Sequence, residues 1–170
     1  IAIIGSGPAG SSLATLLHRK GFKVGLFSDS EARELFVGES MIPAIIPVLR
    51  ELGLEEEVKA FSVYKPGATV WVKPNLHAEA SFSAGLGQLP LYAYNTTRKE
   101  FDTLLFEKAK SEGVQVFKMR AGIEVNGDEV KFDQETLEAT KDFFGGQPDY
   151  FVDASGRKRL LANAMKLPYT

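Results

Sequence analysis

The sequence predicts an α/β fold that begins with a β-α-β unit. The chain opens on a continuous apolar run, Ile1-Ala2-Ile3-Ile4, as expected of a strand that is buried on both faces. A glycine-rich segment follows at once, and then come leucines at helical spacing, Leu13, Leu16 and Leu17. A second apolar run, Val24 to Phe27, completes the unit. This order of elements is typical of two parallel strands joined by a helix.

The glycine-rich segment, Gly5-Ser6-Gly7-Pro8-Ala9-Gly10, has the spacing of a phosphate-binding turn. Gly5 permits a tight turn, Gly7 lets the backbone approach a pyrophosphate, and Gly10 lets the helix pack closely on the strand. The helix that starts at Pro8 and Ala9 then directs its free N–H groups and positive dipole end at the phosphates. An ordinary glycine turn is the alternative, but the flanking strand and helix favour a Rossmann-like, dinucleotide-binding core.

The end of the second strand departs from the usual pattern. An acidic residue about 20 residues after the glycines usually binds the ribose hydroxyls of the nucleotide. Here the strand ends in Phe27-Ser28-Asp29, so the expected acidic position holds Ser28 and Asp29 comes next. Either Asp29 binds the ribose after a small shift in register, or Ser28 makes a weaker, neutral hydrogen bond. Both residues are therefore candidates for cofactor binding.

The middle of the chain predicts two helices and an inserted sheet. The first helix, Met41 to Leu52, carries apolar side chains on one face and is followed by Gly53, which suits a C-terminal cap. The second starts at the capping box formed by Thr97 and Glu100 and ends at Gly113. Between them, three alternating runs predict a small antiparallel sheet at about residues 66–95: Ala68 to Val72, Ala78 to Phe82, and Leu91 to Tyr94.

The remaining segments predict short elements. Glu31 to Leu35 is polar and is expected to form a loop or a short helix. Val114 to Lys118 is predicted as a strand, and Ile123 to Thr140 as short strands around the hairpin signal Asn126-Gly127. Tyr150 to Val152 is predicted as the strand that leads to Asp153.

Composition and charge exclude several kinds of site. The chain has 170 residues, of which 44% are hydrophobic, so it is long enough to bury a core. Its net charge of −2 gives no electrostatic sign of nucleic-acid binding. Cysteine is absent, which excludes disulfides, thiolate metal sites and a cysteine nucleophile, and the isolated His18 and His77 predict no metal site. No apolar run is long enough to span a membrane.

Four motifs, taken in order, resemble those of the FAD-dependent monooxygenase superfamily, in the branch of flavin-dependent halogenases and geranylgeranyl reductase-like enzymes. The Gly5 to Gly10 turn resembles the family's FAD-pyrophosphate turn. Val37-Gly38-Glu39-Ser40, followed by Pro43, resembles the Gly-Glu-Ser/Ala…Pro loop of the halogenase branch. Arg98-Lys99-Glu100-Phe101-Asp102 resembles the helix start whose arginine lies along the FAD, and Asp153-Ala154-Ser155-Gly156 resembles the strand-end turn near the flavin.

The resemblance implies FAD as the cofactor. It adds Glu39, Ser40, Arg98, Asp153 and Gly156 to the expected cofactor-binding residues. A carboxylate is costly to bury unless it is paired, so the carboxylate of Glu39, which lies between apolar neighbours in the sequence, is expected to have a partner. Asp102, one turn after Arg98, is expected to anchor the helix rather than to touch the ligand.

Lys65 is the candidate catalytic residue. The segment Tyr64-Lys65-Pro66-Gly67 resembles the Lys-x-Gly segment of flavin-dependent halogenases. In that family the lysine meets hypohalous acid, generated at the flavin from oxygen and halide, and directs it at an electron-rich substrate. The alternative is a turn lysine before a strand, since the segment also occurs in relatives that do not halogenate.

The expected function is that of an FAD-dependent oxidoreductase, of the halogenase type, acting on a small molecule in the cytoplasm. A separate flavin reductase is the expected source of reduced FAD. A geranylgeranyl reductase-like enzyme or an aromatic hydroxylase would use the same motifs without halide, and a nucleotide-binding module without catalysis is a third alternative. Because the chain begins inside its first strand and ends soon after the fourth motif, we expect residues 1–170 to be an incomplete FAD-binding domain, the N-terminal part of a larger fold.

Overall fold

The computed structural model describes residues 1–29, 38–84, 87–127 and 129–168. The predicted loop or helix at 31–35, and Val37 of the second motif, lie outside the described residues. In chain order the helices and strands are β1 Ala2–Ile4, α1 Pro8–Arg19, β2 Gly25–Phe27, α2 Ile45–Leu52, α3 Glu55–Ala60, β3 Ser62–Lys65, β4 Gly67–Lys73, β5 Leu76–Ser81, β6 Ala93–Thr96, α4 Arg98–Ser111, β7 Gln115–Phe117, β8 Ile123–Asn126, β9 Glu129–Phe132, α5 Gln134–Phe144, β10 Phe151–Asp153 and α6 Leu160–Ala164.

The chain forms two compact units, and the first of them combines the start of the chain with the part from Leu104 onward. A four-stranded parallel sheet forms the centre of this first unit. The strand order is β10-β1-β2-β7, and Ile4 pairs with both Phe27 and Asp153. The carboxyl ends of all four strands therefore lie at one edge of the sheet, where ligands bind in open α/β folds.

Both faces of this sheet are covered. Ile3 and Leu26 pack on one face with Ala14 of α1 and Ala109 of α4. On the other face, side chains from the β8–β9 hairpin, α5 and α6 surround Phe27. Burial on both faces explains why β1 and β2 are continuous apolar runs. The predicted α/β fold with a Rossmann-type core is confirmed.

The second unit contains two helices, α2 and α3, and two antiparallel strand pairs, β3–β6 and β4–β5. The hairpin β4–β5 has a turn at residues 74–75, as predicted, and pairs Val70 with Ala78. Exposed apolar side chains lie opposite one another in this hairpin, where Ala68 pairs with Ala80 and Val70 pairs with Ala78.

Several elements differ from the prediction. Helices α3 and α6 were not predicted, and the third run of the expected small sheet, β6, pairs with β3 and not with the β4–β5 hairpin. Helix α2 begins at Ile45 and not at Met41, because the backbone N–H of Met41 donates to the carbonyl of Tyr94 and holds the preceding residues extended. Strand β3 was not predicted. Helix α5 lies where short strands were expected, and it is capped by Asp133, whose Oδ1 accepts from the N–H of Thr136 at 2.8 Å.

An ion pair joins the ends of α1 and α4. Arg19 Nη2 lies 2.5 Å from Glu112 Oε1, and Lys108 Nζ lies 3.0 Å from the same oxygen. The guanidinium of Arg19 holds the pKa of Glu112 at about 2, below its ordinary value of 4.5. Since the pKa is lower in the folded state, the pair stabilises the fold above the ordinary pKa, and this contribution is lost as the pH falls from 4.5 to about 2.

We therefore expect Glu112→Gln to lower the melting temperature by about 1–3 °C near neutral pH, and the deficit to vanish as the pH approaches about 2. Thermal unfolding of both proteins across this pH range measures the effect. Glu107→Gln is the matched control, because Glu107 forms an i,i+3 pair with Lys110 on the same helix but is more exposed. An equal deficit for Glu112→Gln at neutral and acid pH would contradict the assignment.

Candidate functional site

The glycine turn after β1 packs against the turn after β10. Gly5 has a φ of +111°, and a Cβ added there would lie 2.3 Å from the carbonyl oxygen of Ala154. A Cβ on Gly10 would lie 1.8 Å from the carbonyl oxygen of Gly5 and 3.1 Å from the Cβ of Ala154. Both glycines are thus required by the close packing of the turn, the helix and the neighbouring strand end.

Gly7 differs from Gly5 and Gly10, because its backbone conformation does not require glycine. It is the buried N-cap residue of α1, with a φ of −73° that any residue can adopt. Pro8 follows as the first helical residue, and Ala9 is exposed. A glycine N-cap carries no side chain to cap the helix, so the first N–H groups and the dipole of this 12-residue helix remain available to an anion. These residues fit a pyrophosphate.

The Asp153 motif forms a tightly hydrogen-bonded turn at the same sheet edge. Asp153 Oδ1 accepts from the N–H of Ser155 at 3.0 Å and from its hydroxyl at 2.5 Å, while Oδ2 accepts from the N–H of Leu161 at 2.9 Å. Burial raises the pKa of Asp153, but these hydrogen bonds outweigh it and leave the pKa below its ordinary value. The carboxylate therefore organises the turn into α6. Gly156 adopts a φ of +63° and is exposed.

The two candidate ribose ligands after β2 have different partners. The hydroxyl of Ser28 lies 2.7 Å from the hydroxyl of Ser6, in the middle of the glycine turn. The carboxylate of Asp29 accepts from Lys158 Nζ at 2.9 Å, and Lys158 belongs to the turn that follows β10. Neither Ser6 nor Lys158 was predicted as part of the site. Ser6 could have been identified from its place inside the glycine motif. Lys158 could not, because it reaches Asp29 only through the order of strands β10, β1 and β2 in the sheet.

A cavity of about 660 Å³ opens beside the loop that follows β7. Its lining residues are Met119, Arg120, Ala121, Gly122, Ile123, Asp133, Glu135, Thr136, Leu160 and Ala164. The sequence did not predict this cavity, because its wall combines the loop after β7 with α5 and α6, which are distant along the chain.

The Gly-Glu-Ser segment of the second unit is bound to β6. The N–H of Thr96 donates to the carbonyl of Glu39 at 2.9 Å, and Ser40 forms an isolated antiparallel bridge with Asn95. The side chain of Glu39 is exposed. The prediction that the Glu39 carboxylate has a partner assumed that this carboxylate is buried. This assumption is wrong, because the carboxylate is exposed to solvent.

Lys65 lies at the end of β3, half-buried, and not in a turn. Its Nζ donates to Ser40 Oγ and to the carbonyl oxygen of Met41, both at 2.8 Å. The same Nζ lies 5.3 Å from the centre of the Phe82 ring, which is within the range of a cation–π contact. The structure thus brings the candidate catalytic lysine into direct contact with the Gly-Glu-Ser segment.

Arg98 forms a two-point ion pair with Asp102. Nε donates to Oδ1 at 2.8 Å and Nη2 to Oδ2 at 3.1 Å, and both side chains are largely buried. Gly38 has a φ of +87°, and a Cβ there would lie 3.3 Å from Arg98 Nη1. Asp102 therefore holds the guanidinium in a fixed orientation beside the Gly-Glu-Ser segment.

The sequence of this chain matches a family model described as an FAD-binding domain over residues 1–169. The chain belongs to the FAD-binding domain family. FAD is thus the cofactor of this domain, and the predicted resemblance to the halogenase branch is confirmed by its relatives. The flavin-dependent halogenase armH3 of Armillaria mellea is 33% identical over 95% of the chain and 33% of its own length. A tryptophan 2-halogenase of Chondromyces crocatus is 31% identical over 95% of the chain and 31% of its own length.

Solved structures support the same fold for the FAD-binding domain. A flavoprotein/dehydrogenase of Cytophaga hutchinsonii superposes with a TM-score of 0.76 at 26% identity, over 99% of this chain and 42% of that one. The flavin-dependent halogenase CmlS superposes with a TM-score of 0.65 at 34% identity, over 77% of this chain and 25% of that one. The chain spans about a third of the length of the curated relatives it matches, as expected for the N-terminal part of such a fold.

Within the described ranges, no helix is both long and apolar enough to cross a membrane. No group of three or more histidine and acidic side chains in the described part of the chain is arranged to hold a metal ion.

Proposed function

We propose that this chain is the FAD-binding part of a flavin-dependent halogenase that acts on an electron-rich small molecule. The observation that carries the proposal is the contact of Lys65 Nζ with Ser40 Oγ and the carbonyl of Met41. This contact joins the two motifs that resemble the halogenase branch. The similarity of the chain to a flavin-dependent halogenase and to a tryptophan 2-halogenase supports the same activity.

The residues of the first unit have the role of holding the cofactor. Gly5, Gly7 and Gly10, with the helix start at Pro8 and Ala9, would hold the pyrophosphate of FAD. Ser28 and Asp29 are the candidates for its ribose, and the turn that contains Asp153 and Gly156 would contact the cofactor at the same edge of the sheet.

The residues of the second unit have the role of positioning the reaction. When bound in its reduced form, FAD supplies electrons that activate oxygen. Glu39, Ser40 and Arg98 are proposed to contact the cofactor, and Asp102 orients the guanidinium for this role. Lys65 carries three N–H donors as an ammonium group, and the contacts with Ser40 and Met41 engage two of them. The third would donate to hypohalous acid and orient it towards the substrate.

We further propose that the substrate is a small molecule, that the reduced FAD comes from a separate flavin reductase, and that the protein acts in the cytoplasm. A flavoenzyme that does not halogenate is the second candidate, favoured by the similarity to the flavoprotein/dehydrogenase of Cytophaga hutchinsonii.

The test supplies the full-length protein with reduced FAD, oxygen and either chloride or bromide, together with a panel of electron-rich aromatic compounds. Mass spectrometry of the products and a peroxide assay are run on the same samples. We expect a product whose mass shift follows the halide supplied. Hydroxylation or double-bond reduction that does not depend on halide would favour the second candidate instead.

A further inference from the structure

We propose that the paired hydroxyls of Ser6 and Ser28, and not the carboxylate of Asp29, receive the ribose hydroxyls of the FAD adenosine. The ribose site of this chain is then electrically neutral. This inference rests on the binding of FAD by the glycine turn, and of the two candidate residues after β2 it assigns the ribose contact to Ser28.

The backbone fixes both hydroxyls in place. The N–H of Ser28 donates to the carbonyl of Phe117 at 2.9 Å, which extends the pairing of β2 with β7 by one residue. The hydroxyl of Ser11, which is completely buried, donates to the carbonyl of Ser6 at 3.0 Å. The 2.7 Å contact between the Ser6 and Ser28 hydroxyls therefore joins two anchored segments at the carboxyl edge of the sheet.

The hydroxyl pair matches the chemistry of a ribose. When one serine donates to the other, the pair retains one O–H donor and unused acceptor lone pairs. The two ribose hydroxyls can each donate and accept, so they can bond to this pair without any charged group. Ser28 also occupies the position at which related folds place the acidic ribose ligand.

Asp29 is engaged elsewhere. Its carboxylate accepts from Lys158 Nζ at 2.9 Å, and this contact links the segment after β2 to the turn after β10. The positive charge of Lys158 compensates the carboxylate. A ribose hydroxyl that bound Asp29 Oδ2 would have to compete with this ionic contact.

A neutral ribose site has a consequence for nucleotide specificity. A carboxylate at this position repels a phosphate on the ribose 2′-hydroxyl, whereas two serine hydroxyls do not. The apoprotein should therefore accept adenosine 2′,5′-bisphosphate nearly as well as adenosine 5′-monophosphate, and a glutamate at position 28 should restore the discrimination.

The first test measures FAD affinity of the full-length protein after removal of its flavin, by quenching of flavin fluorescence. We expect Ser28→Ala to raise the Kd for FAD roughly 3- to 10-fold, as for the loss of one neutral hydrogen bond, and Asp29→Asn to change it by less than about 2-fold. Ser83→Ala is the matched control, because Ser83 forms a similar 2.7 Å hydroxyl pair with Ser81 on the surface. A loss of about 10-fold or more in Asp29→Asn, with little effect of Ser28→Ala, would overturn the proposal. Failure of the wild-type protein to bind FAD would instead refute the cofactor assignment itself.

The second test uses the two adenosine nucleotides as competitors of FAD. The wild-type protein should bind them with affinities within roughly 3-fold of each other, and Ser28→Glu should disfavour the bisphosphate by about 10-fold or more. Discrimination against the bisphosphate by the wild-type protein, equal to that of Ser28→Glu, would show that Asp29 already faces the ribose. Circular dichroism of each variant verifies that it is folded.

Discussion

Replacing Gly7 with valine is expected to abolish the retention of FAD by the full-length protein while leaving its fold largely intact. Valine can adopt the φ of −73° found at Gly7, so the backbone of the turn need not change. Its branched side chain would occupy the space through which a pyrophosphate approaches the N-terminus of α1. Flavin absorbance per mole of purified protein should fall below about a tenth of the wild-type value.

The other glycines of the turn do not allow this test. A Cβ on Gly10 would lie 1.8 Å from the carbonyl oxygen of Gly5, so its replacement would disturb the fold together with the site. Gly146→Val is the matched control, since no atom lies within 4 Å of a Cβ built on Gly146 and its φ is not in the left-handed region. Wild-type flavin content in Gly7→Val would exclude this turn as the pyrophosphate site.

Replacing Lys65 with alanine is expected to abolish halogenated product, with a loss of at least about 100-fold, while peroxide release persists. The lysine would act after oxygen has reacted, so its loss should leave the earlier steps intact. Lys65→Arg should fail as well, because the planar fork of a guanidinium cannot reproduce the contacts of an ammonium with Ser40 and Met41. Product mass and peroxide are measured together.

Lys23→Ala is the control for the loss of a lysine near an aromatic ring, since Lys23 Nζ lies 5.2 Å from the centre of the Phe143 ring in the first unit. Retained FAD in Lys65→Ala would show that the lost halogenation does not result from lost cofactor. Halogenation by Lys65→Ala at the wild-type rate would remove Lys65 from the mechanism.

Several elements could be predicted because their causes are local. The apolar runs of β1 and β2, the glycine turn between β1 and α1, and the glycines that end α2 and α4 are each decided by a few consecutive residues. Gly53 and Gly113 have φ values of +70° and +94°, which only glycine adopts readily. The hairpin signal at Asn126-Gly127 correctly predicted strands β8 and β9, but strands were expected as far as Thr140, where the cap at Asp133 instead begins helix α5.

The chemistry of the candidate site could be predicted only in part. The sequence itself determined the residue types and their order: a glycine turn for the pyrophosphate, a lysine before a strand, and an arginine at a helix start. Only the tertiary structure decided their partners. Ser28 meets Ser6, Asp29 meets Lys158, and Lys65 meets Ser40.

These pairs are distant in the sequence, with separations of 22, 129 and 25 residues. A hydrogen bond depends on the position and direction of both groups, and for distant residues these are set by strand order and register, which no local pattern specifies. The sequence alone therefore determined that the chain has a dinucleotide-binding turn. The tertiary structure places β10 beside β1, and it places β6 beside the Gly-Glu-Ser segment. These pairings decide which side chains bond to each other and which can still contact a ligand.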